Sequence, residues 1–192
     1  MILWLFTLIF KLKGWKLKTE MIHQYPKSVT IAAPHTSNWD LIISLAAFNL
    51  MGLKVRFTLK EEWFRFPFKR IMIGFGGISI DRSPKQAGEK RLSIVEAMAN
   101  LFKENEKLHI MVTPEGTRSL RTEWKTGFYY TAKAAGVPIM CGYLDYKNKV
   151  AGIGKIVFPS DNMEADLKEI MSFYKTIQGK NPEKFSTDLR YS

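Results

Sequence analysis

The chain has 192 residues, of which 46% are hydrophobic and 24% charged, so it is predicted to form one compact domain rather than a disordered or repeat protein. A single cysteine, Cys141, excludes an intrachain disulfide and a metal site built on paired cysteines. There are 29 lysines and arginines against 18 aspartates and glutamates, a formal net charge of +11. This excess indicates an anionic partner: a nucleic acid, an anionic membrane or a phosphorylated substrate.

The N-terminus combines an apolar stretch with lysines. Residues 1–10 read MILWLFTLIF, and four lysines follow within residues 11–18. Ten residues in a helix span about 15 Å, half of a hydrocarbon core, and the apolar and basic parts stand in the reverse order of a signal peptide. We therefore predict that residues 1–18 form a membrane-interface anchor. The alternative is a helix docked on the protein's own core.

The hydrophobic pattern of the rest of the chain predicts strands that alternate with helices. The predicted strands cover residues 29–33, 55–59, 78–81, 108–113 and 138–143, with one or two more in 149–158. The predicted helices cover residues 39–51, 61–74 (as short helices), 86–105, 127–135 and 163–178. This order predicts a single α/β domain over residues 19–192, with a mostly parallel or mixed central sheet and helices on both faces. The polar residues 181–192 are expected to be loosely attached.

A histidine and an aspartate stand close together where the first of these strands gives way to a helix. The segment PHTSNWD covers residues 34–40, and α/β sheets place their chemistry at the carboxyl ends of strands. Asp40 lies about one helical turn beyond His35, where a carboxylate can orient the imidazole and stabilise its protonated form. The alternative is that His35 is a turn residue and Asp40 an acid favoured by the helix dipole.

A second segment, GGISIDRS (residues 76–83), ends a predicted strand at an arginine. A guanidinium at the end of a strand is suited to binding a phosphate, so Arg82 is a candidate ligand-binding residue. A surface turn formed by Asp81 and Arg82 is the alternative.

A third segment, TPEGTRS (residues 113–119), follows the apolar strand LHIMV. Gly116 permits close approach of the backbone to a ligand, and the hydroxyl and guanidinium groups that follow it suit an anion. Glu115 is placed to hold Arg82 or an acceptor hydroxyl. Taken alone, this segment is also compatible with an ordinary turn.

In this order the three segments resemble the glycerolipid acyltransferase family, which contains the 1-acyl-glycerol-3-phosphate (lysophosphatidate) O-acyltransferases. HTSNWD resembles the H-x4-D block of that family, GGISIDR the block that ends in arginine, and TPEGTRS the block Phe-Pro-Glu-Gly-Thr-Arg-Ser. GVPIM, residues 136–140, resembles the fourth block. The sequence departs from the family pattern at Pro34, where asparagine is common, at Ser79, where the family has an aromatic residue, and at Thr113, where it has phenylalanine.

The resemblance implies transfer of a fatty acyl group from acyl-CoA or acyl carrier protein to the hydroxyl of a lyso-phospholipid, above all 1-acyl-glycerol-3-phosphate. It implies that His35 is the general base, Asp40 its orienting partner and Ser37 a positioning residue. The residues implied to bind the acceptor are Arg82, Glu115, Gly116, Thr117, Arg118 and Ser119. Val137 and Pro138 are assigned to the acyl-donor side. No metal, organic cofactor or covalent acyl-enzyme is expected.

Basic and aromatic residues also interleave between Lys54 and Arg91, as on a surface that enters a headgroup layer. With the N-terminal segment, they predict a peripheral or monotopic protein on the cytoplasmic side of an anionic membrane. Three other functions compete: an O-acyltransferase for another lyso-lipid or an amino-acid lipid, a non-catalytic lipid-binding protein, and a nucleic-acid-binding module. The last leaves the pairing of His35 with Asp40 unexplained, so nucleic acid is not an expected partner.

Overall fold

A computed structural model describes residues 2–18, 24–58, 73–74, 76–78 and 93–192 of the chain. Most of the region predicted to form short helices at 61–74 lies outside these residues. So does the end of the strand predicted at 78–81, together with Arg82.

Five α-helices, one short 3-10 helix (Pro182–Lys184) and seven strands lie within the described part of the chain. The helices are α1 (Ile2–Leu12), α2 (Trp39–Leu50), α3 (Ile94–Glu104), α4 (Gly127–Ala135) and α5 (Met163–Tyr174). The strands are β1 (Lys16–Lys18), β2 (Lys27–Ala33), β3 (Val55–Thr58), β4 (Gly77–Ile78), β5 (Leu108–Val112), β6 (Ile139–Asp145) and β7 (Val150–Val157). Residues 86–92 of the helix predicted at 86–105 lie outside the described residues; α3 begins at Ile94, where Ser93 and Glu96 form a reciprocal capping box.

The strands form one mixed sheet in the order β1-β7-β6-β2-β5-β3-β4. All neighbouring strands are parallel except β6 and β7, which are antiparallel. In the centre, Ala33 of β2 pairs with Tyr143 of β6, and Ile31 of β2 pairs with Val112 of β5. The chain segments that follow β2, β5 and β6 therefore leave the sheet at the same edge.

Helices cover both faces of the sheet, which confirms the predicted fold class. On one face, α3, α4 and α5 bury a core that includes Ile31, Ile110 and Tyr129. On the other face, α1 and α2 bury a second core that includes Phe48 and Met140. Successive residues of a strand point to opposite faces, so the almost wholly buried β6 contributes to both cores.

The N-terminal segment is packed on the domain along one side and exposed along the other. Phe10 and Trp15 are buried in the second core, and the residues of β1 pair with β7, so this side docks as the alternative interpretation expected. The other side of α1 exposes large apolar side chains: Trp4 (68%), Leu5 (45%), Leu8 (37%) and Leu12 (78%). Within the described residues, no helix has the length and apolar character needed to cross a membrane.

The expectation that residues 181–192 are loosely attached is wrong. Asp188 is only 1% exposed, and its carboxylate accepts hydrogen bonds from the backbone N–H of Trp124 (3.0 Å) and from the Arg190 guanidinium (2.7 and 2.9 Å). The same guanidinium donates to the Trp124 carbonyl oxygen at 2.7 Å. The polar C-terminal segment is thus tied to the core by hydrogen bonds of Asp188 and Arg190 to the backbone of the buried Trp124.

Candidate active site

The Asp40 carboxylate organises the loop between β2 and α2. Its Oδ2 atom accepts the backbone N–H groups of Thr36 and Ser37, both at 2.7 Å, and its Oδ1 atom accepts the Ser37 hydroxyl at 2.9 Å. Asp40 is 3% exposed. Burial raises the pKa of Asp40, but hydrogen bonds from His35, Tyr146 and Ser37 outweigh it and hold this pKa below its usual value. The buried carboxylate is therefore ionised at neutral pH.

His35 lies beside this carboxylate, as its spacing predicted. Its Nδ1 atom is 3.5 Å from Asp40 Oδ2, and its side chain is 20% exposed. With Nδ1 facing an anion, Nε2 is the nitrogen left to take a proton from a substrate. Ser37 contacts Asp40 rather than His35, and its Oγ atom also accepts the N–H of Trp39 at 3.2 Å. These contacts are those of a residue that holds the loop.

Glu115 reaches the same loop from the end of β5. Its Oε1 atom accepts the backbone N–H of His35 at 2.7 Å, whereas Oε2 has no hydrogen-bond partner among the described residues. The side chain is 3% exposed. The pKa of Glu115 is raised to about 7, mainly by burial. The hydrogen bond from the His35 N–H opposes this increase, and the negative charge of Asp40 adds to it. In this arrangement Glu115 contacts the backbone of His35 and leaves one oxygen unpaired.

The residues after Glu115 form a turn at the mouth of the site. Gly116 has a φ of +67°, and a Cβ at this position would approach the Lys125 side chain to 3.0 Å, so the turn favours glycine. Arg118 is exposed and lines the same cleft as His35. Thr117 and Ser119 do not line it; the Thr117 hydroxyl accepts the Ser119 N–H at 3.3 Å.

The cleft at His35 has a volume of about 400 Å³. Its walls are mainly apolar, and His35, Asp40, Arg118 and Lys125 add charged or ionisable groups. The apolar lining residues come from both cores and from α3, and they include Phe57, Ile94, Val95, Met98, Met111 and Phe128. An apolar cleft with a few convergent polar groups is typical of a site for an amphiphilic ligand.

Val137 and Pro138 are not brought to this cleft. They precede β6 at its amino end, and the Pro138 carbonyl oxygen accepts the N–H of Val29 near the start of β2. His35 follows the other end of β2, so the two residues lie at the opposite edge of the sheet. Both are buried, and in this position they initiate a core strand. Arg82 lies outside the described residues.

Three features of the site were missed by the sequence interpretation. Tyr146 donates its hydroxyl to Asp40 Oδ1 at 2.7 Å, and Lys125 adds a second cation beside Arg118. Asn181 stabilises the loop that carries His35, because its side chain donates a hydrogen bond to the Thr36 carbonyl oxygen at 2.8 Å. Only Tyr146 had a usable signal: it directly follows a buried strand, where a parallel sheet collects its site residues.

Comparisons with known proteins concern the family and the fold. A family model described as acyltransferase matches residues 16–143. Among solved structures, the chain is similar to the 1-acyl-sn-glycerophosphate (LPA) acyltransferase PlsC from Thermotoga maritima, with a TM-score of 0.57 and 18% sequence identity. This similarity covers 91% of the chain and 77% of the Thermotoga protein, and at such low identity it concerns the fold. A comparison with curated proteins gave no match.

The raised pKa of Glu115 makes stability depend on pH. A buried carboxyl whose pKa rises from 4.5 to about 7 on folding stabilises the folded state below pH 4.5, and this contribution is lost as pH rises through 7. Glu115→Gln keeps an oxygen for the His35 N–H but removes the charge. We expect the melting temperature of the variant, relative to that of the wild type, to increase from pH 4.5 to 7 and then to level off.

Melting temperatures measured by circular dichroism between pH 4.5 and 8.5 test this. The exposed Glu106→Gln is the matched control, for which no such increase is expected. A constant difference between Glu115→Gln and the wild type across this range would show that Glu115 titrates normally.

Proposed function

Because the chain belongs to the acyltransferase family, we propose that it moves a fatty acyl group from a thioester to the hydroxyl of a lyso-phospholipid, with 1-acyl-glycerol-3-phosphate as the leading acceptor. The observation that carries this proposal is the composition of one cleft. It combines an apolar wall with a histidine–aspartate pair and two cations, Arg118 and Lys125. These are the groups needed to hold an acyl chain, activate a hydroxyl and bind a phosphate.

The geometry of the pair supports general-base catalysis. His35 Nε2 takes the proton of the acceptor hydroxyl while the oxygen attacks the thioester carbonyl carbon. The tetrahedral intermediate then collapses: the carbon–sulfur bond breaks, an ester remains, and the proton on His35 passes to the thiolate. Asp40, which remains ionised, stabilises the imidazolium formed between these steps. The cycle ends with a free thiol, a diacylated product and His35 in its starting state.

The cations support an acceptor that carries a phosphate. A guanidinium can bind two phosphate oxygens at once, and the Lys125 ammonium adds a point charge near Gly116. The thioester donor is acyl-CoA or acyl carrier protein. The main alternative acceptor is another lyso-lipid or an amino-acid lipid with a free hydroxyl. His35 would deprotonate this hydroxyl in the same way, whereas the two cations would contribute less to binding.

We also propose that the protein lies on the cytoplasmic surface of an anionic membrane as a peripheral or monotopic protein. The exposed face of α1, formed by Trp4, Leu5, Leu8 and Leu12, supplies apolar area. At the end of this helix, the Lys13 and Lys180 ammonium groups lie 4.7 and 5.3 Å from the centre of the Trp39 ring. Apolar side chains beside lysines and a tryptophan match the boundary between headgroups and acyl chains.

Replacement of the base tests the proposed chemistry. We expect His35→Ala to lower kcat by about 10²- to 10⁴-fold while its melting temperature stays close to that of the wild type, because His35 is partly exposed and contributes little to the core. Initial rates with labelled acyl donor and 1-acyl-glycerol-3-phosphate measure the effect. A folded variant that keeps more than about a tenth of the rate would exclude His35 as the base.

Replacement of the cations tests the acceptor. Arg118→Ala and Lys125→Ala are expected to raise KM for the phosphorylated acceptor about tenfold or more, with a smaller effect on KM for the donor. Arg121→Ala is the matched control, since this exposed arginine does not line the cleft. Equal effects on both substrates would mean that the two cations do not bind the acceptor. Equal rates with an acceptor that lacks phosphate would favour the alternative acceptor class.

The membrane proposal requires a variant that leaves the core intact. Deletion of residues 1–18 would remove the buried Phe10 and Trp15, so we use the triple substitution Trp4→Ser, Leu8→Ser and Leu12→Ser on the exposed face of α1. We expect its sedimentation with anionic vesicles to fall at least several-fold, while turnover of a dispersed short-chain substrate is unchanged.

The double substitution Leu120→Ser and Leu189→Ser removes exposed apolar side chains elsewhere and is the matched control. If the triple variant and this control sediment with vesicles as well as the wild type does, the exposed face of α1 is not the membrane contact.

A further inference from the structure

Tyr146 occupies a distinctive position behind the His35–Asp40 pair. It is the first residue after β6, the strand that pairs with β2, and it lies beyond residues 16–143 matched by the family model. Its hydroxyl donates to Asp40 Oδ1 at 2.7 Å. Burial and the neighbouring Asp40 carboxylate raise the pKa of Tyr146 well above its usual value, so the phenol stays protonated and remains a donor.

The two oxygens of Asp40 have different partners. Oδ2 faces His35 Nδ1 at 3.5 Å and accepts backbone N–H groups, whereas Oδ1 accepts the hydroxyls of Ser37 and Tyr146. Rotation of the carboxylate away from His35 would break the two bonds at Oδ1. Ser37 lies only three residues before Asp40 and would move with it. Tyr146 directly follows β6 and is therefore the donor that ties the carboxylate to the sheet.

Tyr146 is itself held from two sides. Its ring lies edge-on to Trp15, with 4.8 Å between ring centres and 88° between ring planes, and Trp15 packs against Phe10 of α1. Its backbone N–H donates to the Gln178 carbonyl oxygen at 2.9 Å. Three residues after Gln178, the Asn181 side chain hydrogen-bonds the loop that carries His35. The phenol hydroxyl therefore has little freedom to leave Asp40.

We propose that Tyr146 is a positioning residue that keeps the Asp40 carboxylate turned toward His35, and that Trp15 couples the N-terminal segment to this pair. The inference rests on the proposed role of His35 as general base. It assigns Tyr146 no contact with the substrate. Loss of its hydroxyl should therefore act on the chemical step and leave substrate binding unchanged.

Tyr146→Phe removes only the hydroxyl. We expect kcat to fall about tenfold with little change in either KM. The acidic limb of the kcat/KM profile should move to lower pH, because an Asp40 carboxylate that is free to turn away stabilises the His35 imidazolium less. Among the described residues, Glu115 also hydrogen-bonds this loop, and Lys13 and Lys180 lie over the neighbouring Trp39 ring; the substitution leaves all three unchanged. Tyr130→Phe, at a half-exposed tyrosine that does not line the cleft, is the matched control.

A purely structural role predicts a lower melting temperature with an unchanged kcat and pH profile per folded enzyme, and this result would overturn the proposal. An effect confined to KM would overturn it as well. If His35→Ala retains activity, the proposed function fails. If His35→Ala is inactive while Tyr146→Phe behaves like the wild type, only the inference about Tyr146 fails.

The role of Trp15 is tested by a double-mutant cycle with Trp15→Leu, Tyr146→Phe and the double variant, assayed well below their melting temperatures. Coupling through Tyr146 predicts that Trp15→Leu lowers kcat in the wild-type background and has a much smaller effect when the Tyr146 hydroxyl is absent. Fully additive losses, or no loss in Trp15→Leu, would show that the N-terminal segment is not coupled to the His35–Asp40 pair.

Discussion

The rest of the site depends on the cost of burying the charge of Asp40. A carboxylate withdrawn from water is strongly unfavourable unless hydrogen bonds replace its hydration. Asp40 is 3% exposed and receives donors from Thr36, Ser37 and Tyr146, with His35 beside it. These donors fix the path of the loop, and the loop path fixes the place of the imidazole. The buried charge therefore determines both the path of the backbone and the position of His35. Hydrogen bonds keep Asp40 ionised, whereas burial, with a smaller contribution from the Asp40 charge, raises the pKa of Glu115 to about 7.

The parallel centre of the sheet explains why groups far apart in the sequence meet here. β2, β5 and β6 end at one edge, so His35, Glu115 and Tyr146 are brought together although more than a hundred residues separate the first from the last. Each reaches the loop through a different interaction: His35 belongs to it, Glu115 accepts a backbone N–H and Tyr146 donates to a carboxylate. The same topology places Val137 and Pro138 at the opposite edge of the sheet from His35.

Local signals carried the sequence predictions that are confirmed. Apolar runs and turn residues predicted the α/β fold and the bounds of α4, and the motif segments predicted the family. These predictions succeeded because the signals consist of residues that are neighbours in the sequence. The missed features depend on long-range contacts. Lys125 belongs to no local pattern, and the contact of Tyr146 with Asp40 spans more than a hundred residues. The C-terminal segment is attached by hydrogen bonds of Asp188 and Arg190 to the backbone of Trp124, which its polar sequence does not reveal. The departures from the family pattern at Pro34 and Thr113 leave the pairing of His35 with Asp40 intact.

The N-terminal segment shows that one helix can be docked on the protein core and still present a surface for a membrane. A helix of eleven residues with apolar side chains nearly all around it has more apolar surface than one neighbour can cover, so α1 buries Phe10 against α2 and leaves Trp4 and Leu12 exposed. The partner helix α2 carries Asp40 in its first turn. If the exposed face lies in a membrane, as proposed, the packing of α1 on α2 sets the orientation of the cleft relative to the lipid surface. A flexible tether would leave this orientation free, whereas the proposed membrane contact through a packed helix would fix it.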